Sequence, residues 1–199
     1  MKPTVFFRDF EERDVDFVFK CKNDEKLNSL IVGEARHFTH EDAEKWVRGC
    51  MGEHDTYKFW AICSNDEEKR IVGWVSLAKI DKNNQSANFH GIVIADPQYR
   101  NGFAWIETYL FILKHAFEDL GLNRLYGSSI IGNIPSNIAS ELFFFQLEGI
   151  LRESVNKNGV YYNVRISSIL KREYFKHKED GDYEFKSILK RIKHIRTIK

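Results

Sequence analysis

A run of small and polar residues after an apolar segment is the stretch best suited to bind a negatively charged group. Residues 92–95 are apolar and mostly β-branched, and the run after them contains Arg100, Asn101, Gly102 and Ala104. If a helix begins at this run, its first N–H groups lack partners within the helix, and its dipole favours negative charge. Small residues let a ligand approach those N–H groups, so the run predicts a pyrophosphate site. The alternative is an ordinary strand-to-helix turn.

A histidine just before this segment is a candidate base. An ordinary imidazole has a pKa near neutrality, so His90 is suited to accept a proton during catalysis. The alternative is a structural or surface histidine, because the sequence names no partner for it.

The elements that would position these residues are a strand, a helix and a second strand. The β-branched residues at 92–95 favour a strand, and apolar residues from Trp105 to Leu120 recur at helical spacing. Gly121 follows this helix and can adopt the left-handed backbone conformation that ends it. Because parallel strands need a crossover connection, we expect strands 92–95 and 125–131 to be adjacent and parallel, joined by this helix.

The remaining periodicity predicts a sheet flanked by helices. The expected order is a strand, two helices, three strands, a helix, a strand, a helix and two strands. Thr39 and Asp42 form a capping-box pattern before the second helix, and Asn158-Gly159 is a hairpin turn. We therefore predict an α/β (α+β) fold with a mixed, mainly antiparallel sheet of about seven strands.

Composition limits the classes of function. The 199 residues are 43% hydrophobic and carry a formal net charge of +1, so they favour a globular domain and give no overall attraction for nucleic acid. The sequence has no long apolar segment of the kind that forms a secretory signal or a membrane span, so we predict neither. Cys21, Cys50 and Cys63 lack metal-ligand spacing. We predict reduced thiols, no metal centre and a cytoplasmic location.

The C-terminal residues differ in composition from the rest. We expect a domain over residues 1–175, then a charged linker at 176–182 and a basic amphipathic helix to residue 199. The apolar positions of that helix are Phe185, Ile188, Leu189, Ile192 and Ile195. We expect this stripe to dock on the chain's own domain or on a second copy in a homodimer; a membrane surface is the alternative.

Three stretches of the chain resemble the GNAT N-acetyltransferase superfamily. Residues 93–104 are similar to its acetyl-CoA motif, which is a strand, then Arg or Gln, two residues, Gly, one residue, and Gly or Ala. Residues 133–153 are similar to the family's next helix and strand, in the subgroup that acts on protein N-termini, ribosomal proteins or amino-sugars. Shorter matches lie at residues 39–46, 60–62 and 71–73. The resemblance covers residues 7–174.

The resemblance implies an acyl-CoA N-acyltransferase-like fold whose sheet splits in a V beside Ile94. It implies direct transfer of an acetyl group from acetyl-CoA to a primary amine, with no metal. A backbone N–H near Val93 and Ile94 would donate a hydrogen bond to the thioester oxygen as it gains negative charge. The residues expected to bind the cofactor are Ile92, Val93, Ile94, Arg100, Asn101, Gly102, Phe103, Ala104, Trp105, Asn133, Ser136 and Asn137.

The same resemblance implies roles for two catalytic residues. His90 lies near the position where the family often has a carboxylate, and it would be the base. Ser140 stands at the position where many members of the family have a tyrosine that serves as the general acid. Tyr99 stands where Arg or Gln is usual. Tyr99 and Ser140 also suit an alternative, a non-catalytic relative that binds acyl-CoA or a partner. The acceptor would be a small-molecule amine, an amino-sugar or a protein N-terminus.

A loop on the acceptor side carries further charged residues. Glu34, Arg36 and His37 lie in the loop that covers the acceptor in this family. They either contact the acceptor or are solvated loop charges.

Overall fold

The structure is a computed structural model that describes residues 2–32, 37–100 and 102–198. Its centre is one seven-stranded sheet in the order β1-β2-β3-β4-β5-β7-β6. The strands are β1 (Val5–Arg8), β2 (Tyr57–Ser64), β3 (Ile71–Asp81), β4 (Ser86–Ile94), β5 (Arg124–Ile130), β6 (Gln146–Lys157) and β7 (Val160–Leu170). Strands β4 and β5 pair in parallel, and the other neighbours pair antiparallel. The predicted mixed, mainly antiparallel sheet is confirmed.

Helices cover both faces of this sheet. They are α1 (Val15–Lys22), α2 (Glu25–Asn28), α3 (His40–Cys50), α4 (Pro97–Arg100), α5 (Ala104–Lys114), α6 (Ile134–Leu142), α7 (Lys171–Glu179) and α8 (Phe185–Ile198). The predicted capping box begins α3, where Thr39 Oγ1 accepts the N–H of Asp42 at 3.1 Å. Helix α5 continues as a π-helical turn, and Gly121, with φ +65°, follows it as predicted.

The core has two parts, one on each face of the sheet. On one face, Ile94 and Leu77 pack with residues of α5 such as Ile112. On the other face, Val93 and Trp74 pack with residues of α1 and α3. Successive side chains of β4 therefore point to opposite layers, as strand geometry requires.

A bulge in β4 opens the sheet. Strands β4 and β5 are paired from Ser86↔Arg124 to Phe89↔Gly127 and not beyond. Opposite β3, Phe89 pairs with Leu77 and Gly91 with Ser76, so His90 is an extra residue in β4. Gly91 has φ +115°, a conformation that favours glycine. This bulge bends β4 away from β5 and leaves an opening between them, which we call the β4–β5 opening.

The opening confirms the predicted V and corrects one detail of the pairing. We expected residues 92–95 to pair with the following strand, but the parallel ladder uses residues 86–89. The extra residue His90 redirects the carboxyl half of β4 before residue 92, so that half keeps only β3 as its neighbour.

The start of helix α5 is tied to the first strand of the sheet. The carboxylate of Glu107, in the first turn of α5, accepts hydrogen bonds from the backbone N–H groups of Thr4 and Val5 and from the Thr4 hydroxyl, at 2.9–3.0 Å. These bonds satisfy the carboxylate and hold the N-terminus of α5 against the sheet.

The C-terminal segment docks on the chain's own body. The expected linker at 176–182 is wrong in its first part, because α7 continues to Glu179; the Glu173 carboxylate caps α7 by accepting the Leu170 N–H at 2.9 Å. In α8, Ile188 is fully buried, and Phe185, Ile192 and Ile195 pack against the core. This contact confirms the expected docking of the apolar stripe. Among the described helices, none is long and apolar enough to cross a membrane.

Candidate active site

Two backbone N–H groups of β4 face the β4–β5 opening. The Ala95 N–H donates to Val72 O of β3 at 2.9 Å, so residues 95, 93 and 91 direct their polar groups toward β3. The intervening residues, Ile92 and Ile94, direct theirs to the opening. Of the expected residues 92–94, Ile92 and Ile94 can therefore offer an N–H to a ligand, whereas the Val93 carbonyl is directed at Gly73.

The loop after β4 leads into a helix start that no side chain caps. Phe103 is the N-cap residue of α5 and makes no capping hydrogen bond with its side chain. The first N–H groups of α5, beginning at Ala104, are therefore available to an anion. A cavity of about 330 Å³ borders Gly102, Phe103 and Ala104. Asn101 lies outside the described residues.

Arg100 and Tyr99 hold this loop in place. The Arg100 guanidinium donates to Ile94 O at 2.9 Å and to Ala95 O at 2.6 Å, across the end of β4. The Tyr99 hydroxyl donates to Asp66 at 2.8 Å, in the turn between β2 and β3. Tyr99, the residue that departs from the family motif, thus serves to attach the loop to that turn.

His90 lies at the bulge, where β4 leaves β5. Its side chain is exposed, yet the surrounding protein removes part of its hydration, and this desolvation lowers the pKa of His90. The positive charges of Lys22 and Lys79 lower the pKa further. His90 is therefore neutral at physiological pH, the form in which an imidazole accepts a proton.

The polar residues at the start of α6 are bonded within the chain. Asn133 caps α6, since its Oδ1 accepts the Ser136 N–H at 3.2 Å and its Nδ2 donates to Leu30 O at 3.3 Å. Asn137 is buried; it accepts from the Ser129 hydroxyl at 2.6 Å and donates to Ile131 O at 2.7 Å. These amides shape the wall of the opening next to β5, and both amide atoms of Asn137 are hydrogen-bonded within the chain.

Ser140 has a neighbour that the sequence did not indicate. The Ser140 hydroxyl donates to Ser136 O at 3.0 Å, one turn back along α6. Tyr109, from α5, is a neighbour of Ser140 in the core, and burial raises the pKa of Tyr109 to about 12. In the sequence, Tyr109 counts only as one apolar position of α5. The signal that identifies it is chemical, because a buried tyrosine hydroxyl needs a polar partner.

The face of the sheet that packs against α1 and α3 carries a cation held among aromatic rings. The Lys22 ammonium lies 4.6 Å from the Trp46 ring centroid and 5.5 Å from those of Phe38 and Trp74. Such contacts stabilise an ammonium group. Glu34 and Arg36 lie outside the described residues, and His37 is exposed.

Comparisons with known proteins agree on one family. The Acetyltransferase (GNAT) domain family matches residues 4–141. An uncharacterized N-acetyltransferase of Bacillus licheniformis is 31% identical over 174 residues, which cover 84% of this chain and 93% of the relative. The spermidine N(1)-acetyltransferase of Vibrio cholerae is 27% identical over 180 residues, covering 90% of this chain and 100% of the relative.

The fold agrees with these matches. A crystal structure of spermidine N-acetyltransferase from Vibrio cholerae, in complex with CoA and spermine, superposes with a TM-score of 0.76 at 24% identity. The superposition covers 86% of this chain and 98% of that one. With the family matched over residues 4–141, the chain belongs to the GNAT acetyltransferase family and is an N-acetyltransferase that uses acetyl-CoA to acetylate an amine.

Proposed function

We propose that this enzyme acetylates a small-molecule primary amine in the β4–β5 opening. The observation that carries the proposal is the position of the opening: the N–H groups of Ile92 and Ile94 face it, and the uncapped start of α5 follows β4 along the chain. Coenzyme A would bind with its pyrophosphate at Gly102 and Ala104 and its pantetheine along β4. The relative named for spermidine acetylation supports a small amine as the acceptor.

The proposed reaction needs a base and an N–H donor for the oxygen. The neutral amine attacks the thioester carbonyl and forms the C–N bond, and His90 takes the proton that the nitrogen loses. The outward N–H nearer to His90 belongs to Ile92, so we assign it to the oxygen that gains negative charge. The C–S bond then breaks, and its electron pair leaves with the sulfur.

An amine panel tests the acceptor class. Spermidine, spermine, glucosamine and a short peptide with a free N-terminus are offered with acetyl-CoA, and release of the coenzyme A thiol is measured against an amine-free blank. We expect turnover with at least one of the three small amines. Turnover with the peptide alone would contradict the small-molecule assignment. Absence of acetyl-CoA binding by calorimetry would support the alternative of a non-catalytic relative that binds a partner.

The His90→Gln variant tests the base. We expect kcat/KM to fall about 100-fold, because a positioned general base contributes about that much or more. In the native enzyme kcat/KM should decrease as the pH falls through the His90 pKa, which lies below its usual value of about 6.5. The variant should lack this decrease.

His40→Gln is the matched control for this variant. His40 is an exposed histidine on α3 that pairs with Asp16 at 2.9 Å, and its loss should leave kcat/KM unchanged. If His90→Gln retains the native pH profile, another group is the base.

We further propose a cytoplasmic enzyme that acts without a metal ion. Its three cysteines are free and buried, which suits a reducing compartment. Backbone N–H groups would stabilise the negative charge on the oxygen and His90 would accept the proton of the amine, so the chemistry needs no metal. His177, Asp180 and Asp182 form a metal-competent group in the described residues, but they lie in the last turn of α7 and just after it, and not on β4. Homodimerisation remains a separate proposal, testable by light scattering.

A further inference from the structure

The start of α8 lies against the loop that leads into α5. Phe185, the first residue of α8, meets the ring of Phe103 edge-on, with ring centroids 4.7 Å apart. Phe103 is the N-cap residue of α5 and directly follows Gly102. Helix α8 therefore begins beside the backbone N–H groups to which we assign the pyrophosphate of coenzyme A.

The same helix is held against the end of α6. The Arg191 guanidinium donates to Leu142 O at 3.4 Å and lies 4.7 Å from the Phe144 ring centroid. Ile188, one turn before Arg191, is fully buried. Helix α8 thus runs from the start of α5 to the end of α6. Because α6 follows β5, α8 approaches the loop from the side of β5, on which the β4–β5 opening lies.

Helix α8 concentrates positive charge at this place. From residue 185 to residue 199 the sequence has six lysines and arginines and no aspartate or glutamate, whereas the formal net charge of the whole chain is +1. Glu184, the acidic residue just before α8, is directed at the turn after α7, since its Oε1 would lie 3.5 Å from a Cβ at Gly181. The charge of α8 therefore meets an anion at the loop without an acidic residue of its own helix.

Two lysines of α8 are placed to bind such an anion. Lys186 and Lys190 are exposed, and neither makes a hydrogen bond or an ion pair with another residue of the described ranges. Lys186 directly follows Phe185, and Lys190 lies one helical turn further, so both project from the same side of α8. Arg191, which contacts α6, projects from a different side.

We propose that Lys186 and Lys190 bind the 3′-phosphate of coenzyme A. This assignment rests on the proposed function, which places the pantetheine along β4 and the pyrophosphate at the start of α5. The adenosine then extends from the other end of the pyrophosphate, toward the surface beside Phe103 and α8. A phosphate monoester carries nearly two negative charges at neutral pH, and a lysine ammonium binds it as a point charge.

The proposed contact adds a part of the cofactor site from outside the segment that matches the family. The family matches residues 4–141, and α8 begins at Phe185. The C-terminal helix thus has a role besides covering the core, because its apolar side docks on the body and its lysines select the cofactor. The enzyme distinguishes coenzyme A in this way from a donor that lacks the 3′-phosphate.

Calorimetry with coenzyme A and with 3′-dephospho-coenzyme A tests the assignment. We expect the native enzyme to bind coenzyme A about 5- to 20-fold more tightly than the dephospho form, which is the combined effect of two partly exposed ion pairs. The double variant Lys186→Gln/Lys190→Gln should bind both forms with the affinity that the native enzyme has for the dephospho form. Added salt should reduce the native preference, because it screens exposed charges.

Two control variants separate a direct contact from a general effect of charge. Lys20→Gln/Lys45→Gln removes two positive charges from exposed positions of α1 and α3, on the other face of the sheet, and should keep the native preference. Lys186→Arg/Lys190→Arg retains both charges and should keep most of the preference. Glutamine and arginine are good helix formers, so α8 remains folded in the variants at positions 186 and 190.

The outcomes separate this proposal from the one on which it rests. Equal affinity of the native enzyme for both forms would overturn the role of α8, because the 3′-phosphate would then lie in solvent. A preference that survives in Lys186→Gln/Lys190→Gln would also overturn it, and either result leaves the pyrophosphate site untouched. If Gly102→Val binds both forms as tightly as the native enzyme, the placement of the pyrophosphate is wrong, and the assignment of the two lysines fails with it.

Discussion

Gly73→Ala should cost the enzyme nearly all of its activity and part of its stability. Gly73 lies in β3 opposite Ile94 of β4. A Cβ at this position would lie 2.1 Å from Val93 O and 3.0 Å from the Ile94 Cα. Both are backbone atoms, so no side-chain rotation relieves the contact. The single methyl group therefore has to push β4 away from β3.

The surroundings oppose that movement. Val72 O accepts the N–H of Ala95 at 2.9 Å, which fixes the end of β4 to β3. Val93 and Ile94 are both buried, in different halves of the core. Overpacking of such a site costs about 1–3 kcal/mol in the free energy of unfolding. The displaced segment carries the outward N–H groups of Ile92 and Ile94, and a shift of about 1 Å can cost about 100-fold in rate.

The measurement is kcat with the best acceptor, together with thermal unfolding. We expect kcat at least about 100-fold lower and a lower melting temperature. Gly49→Ala is the matched control, because a Cβ there meets nothing within 4 Å and Gly49 lies within α3. Alanine stabilises a helix relative to glycine by about 0.5–1 kcal/mol, so that variant should be fully active. Full activity of Gly73→Ala would show that the β3–β4 spacing does not position the site.

The strand, loop and helix around residue 100 could be predicted because their signals are local. The β-branched run at 92–95, the small residues Gly102 and Ala104, and the stop at Gly121 each act on neighbouring backbone. The same is true of the capping box at Thr39, which the structure confirms. Local signals also predicted the apolar stripe of α8, since helical spacing alone defines it.

The bulge at His90 could not be predicted, because it depends on partners far along the chain. Gly91 permits the positive φ, but only the register against β3 shows that His90 is the extra residue. The hydrogen-bond partners of Arg100 and Asn137 could not be predicted from the sequence either. Arg100 bonds to the end of β4, and Asn137 bonds to Ser129 and Ile131. The amides and the guanidinium that a motif marks as ligands of the cofactor are here partly satisfied by the chain itself.

Tyr109 is a residue near the site that the family motif does not indicate. The family motif directs attention to position 140, and there the chain has a serine. The tyrosine near this serine comes from α5, 31 positions earlier, and its periodic position marks it only as core. Only tertiary packing on Phe89 and Phe143 brings its ring between β4 and the end of α6.

Gly102→Val should abolish tight binding of acetyl-CoA while the fold survives. A Cβ at Gly102 would meet Gln98 O at 3.6 Å and Tyr99 O at 3.7 Å, which are ordinary contacts. The protein itself therefore tolerates a side chain at this position. A bound pyrophosphate would not tolerate the valine side chain, because this branched side chain would lie between the pyrophosphate and the N–H groups that begin α5 at Ala104.

The expected loss of affinity is at least about 100-fold. Each hydrogen bond to a charged group contributes about 1.5–3 kcal/mol, and losing two of them exceeds the 2.7 kcal/mol that corresponds to 100-fold. Calorimetry with acetyl-CoA measures the affinity, and thermal unfolding should show a melting temperature close to the native one. Gly102→Ala, whose single methyl group fits, should lose less affinity than Gly102→Val.

A truncated donor makes this test specific for the phosphates. Acetyl-pantetheine carries the thioester and the pantetheine but lacks the pyrophosphate, so the valine at position 102 has nothing to obstruct. We expect kcat/KM for acetyl-pantetheine to be equal in the native enzyme and in Gly102→Val, while kcat/KM for acetyl-CoA falls. Equal losses with both donors would mean that the variant damages the whole opening. Unchanged affinity for acetyl-CoA in a folded variant would mean that the phosphates bind elsewhere than at the start of α5.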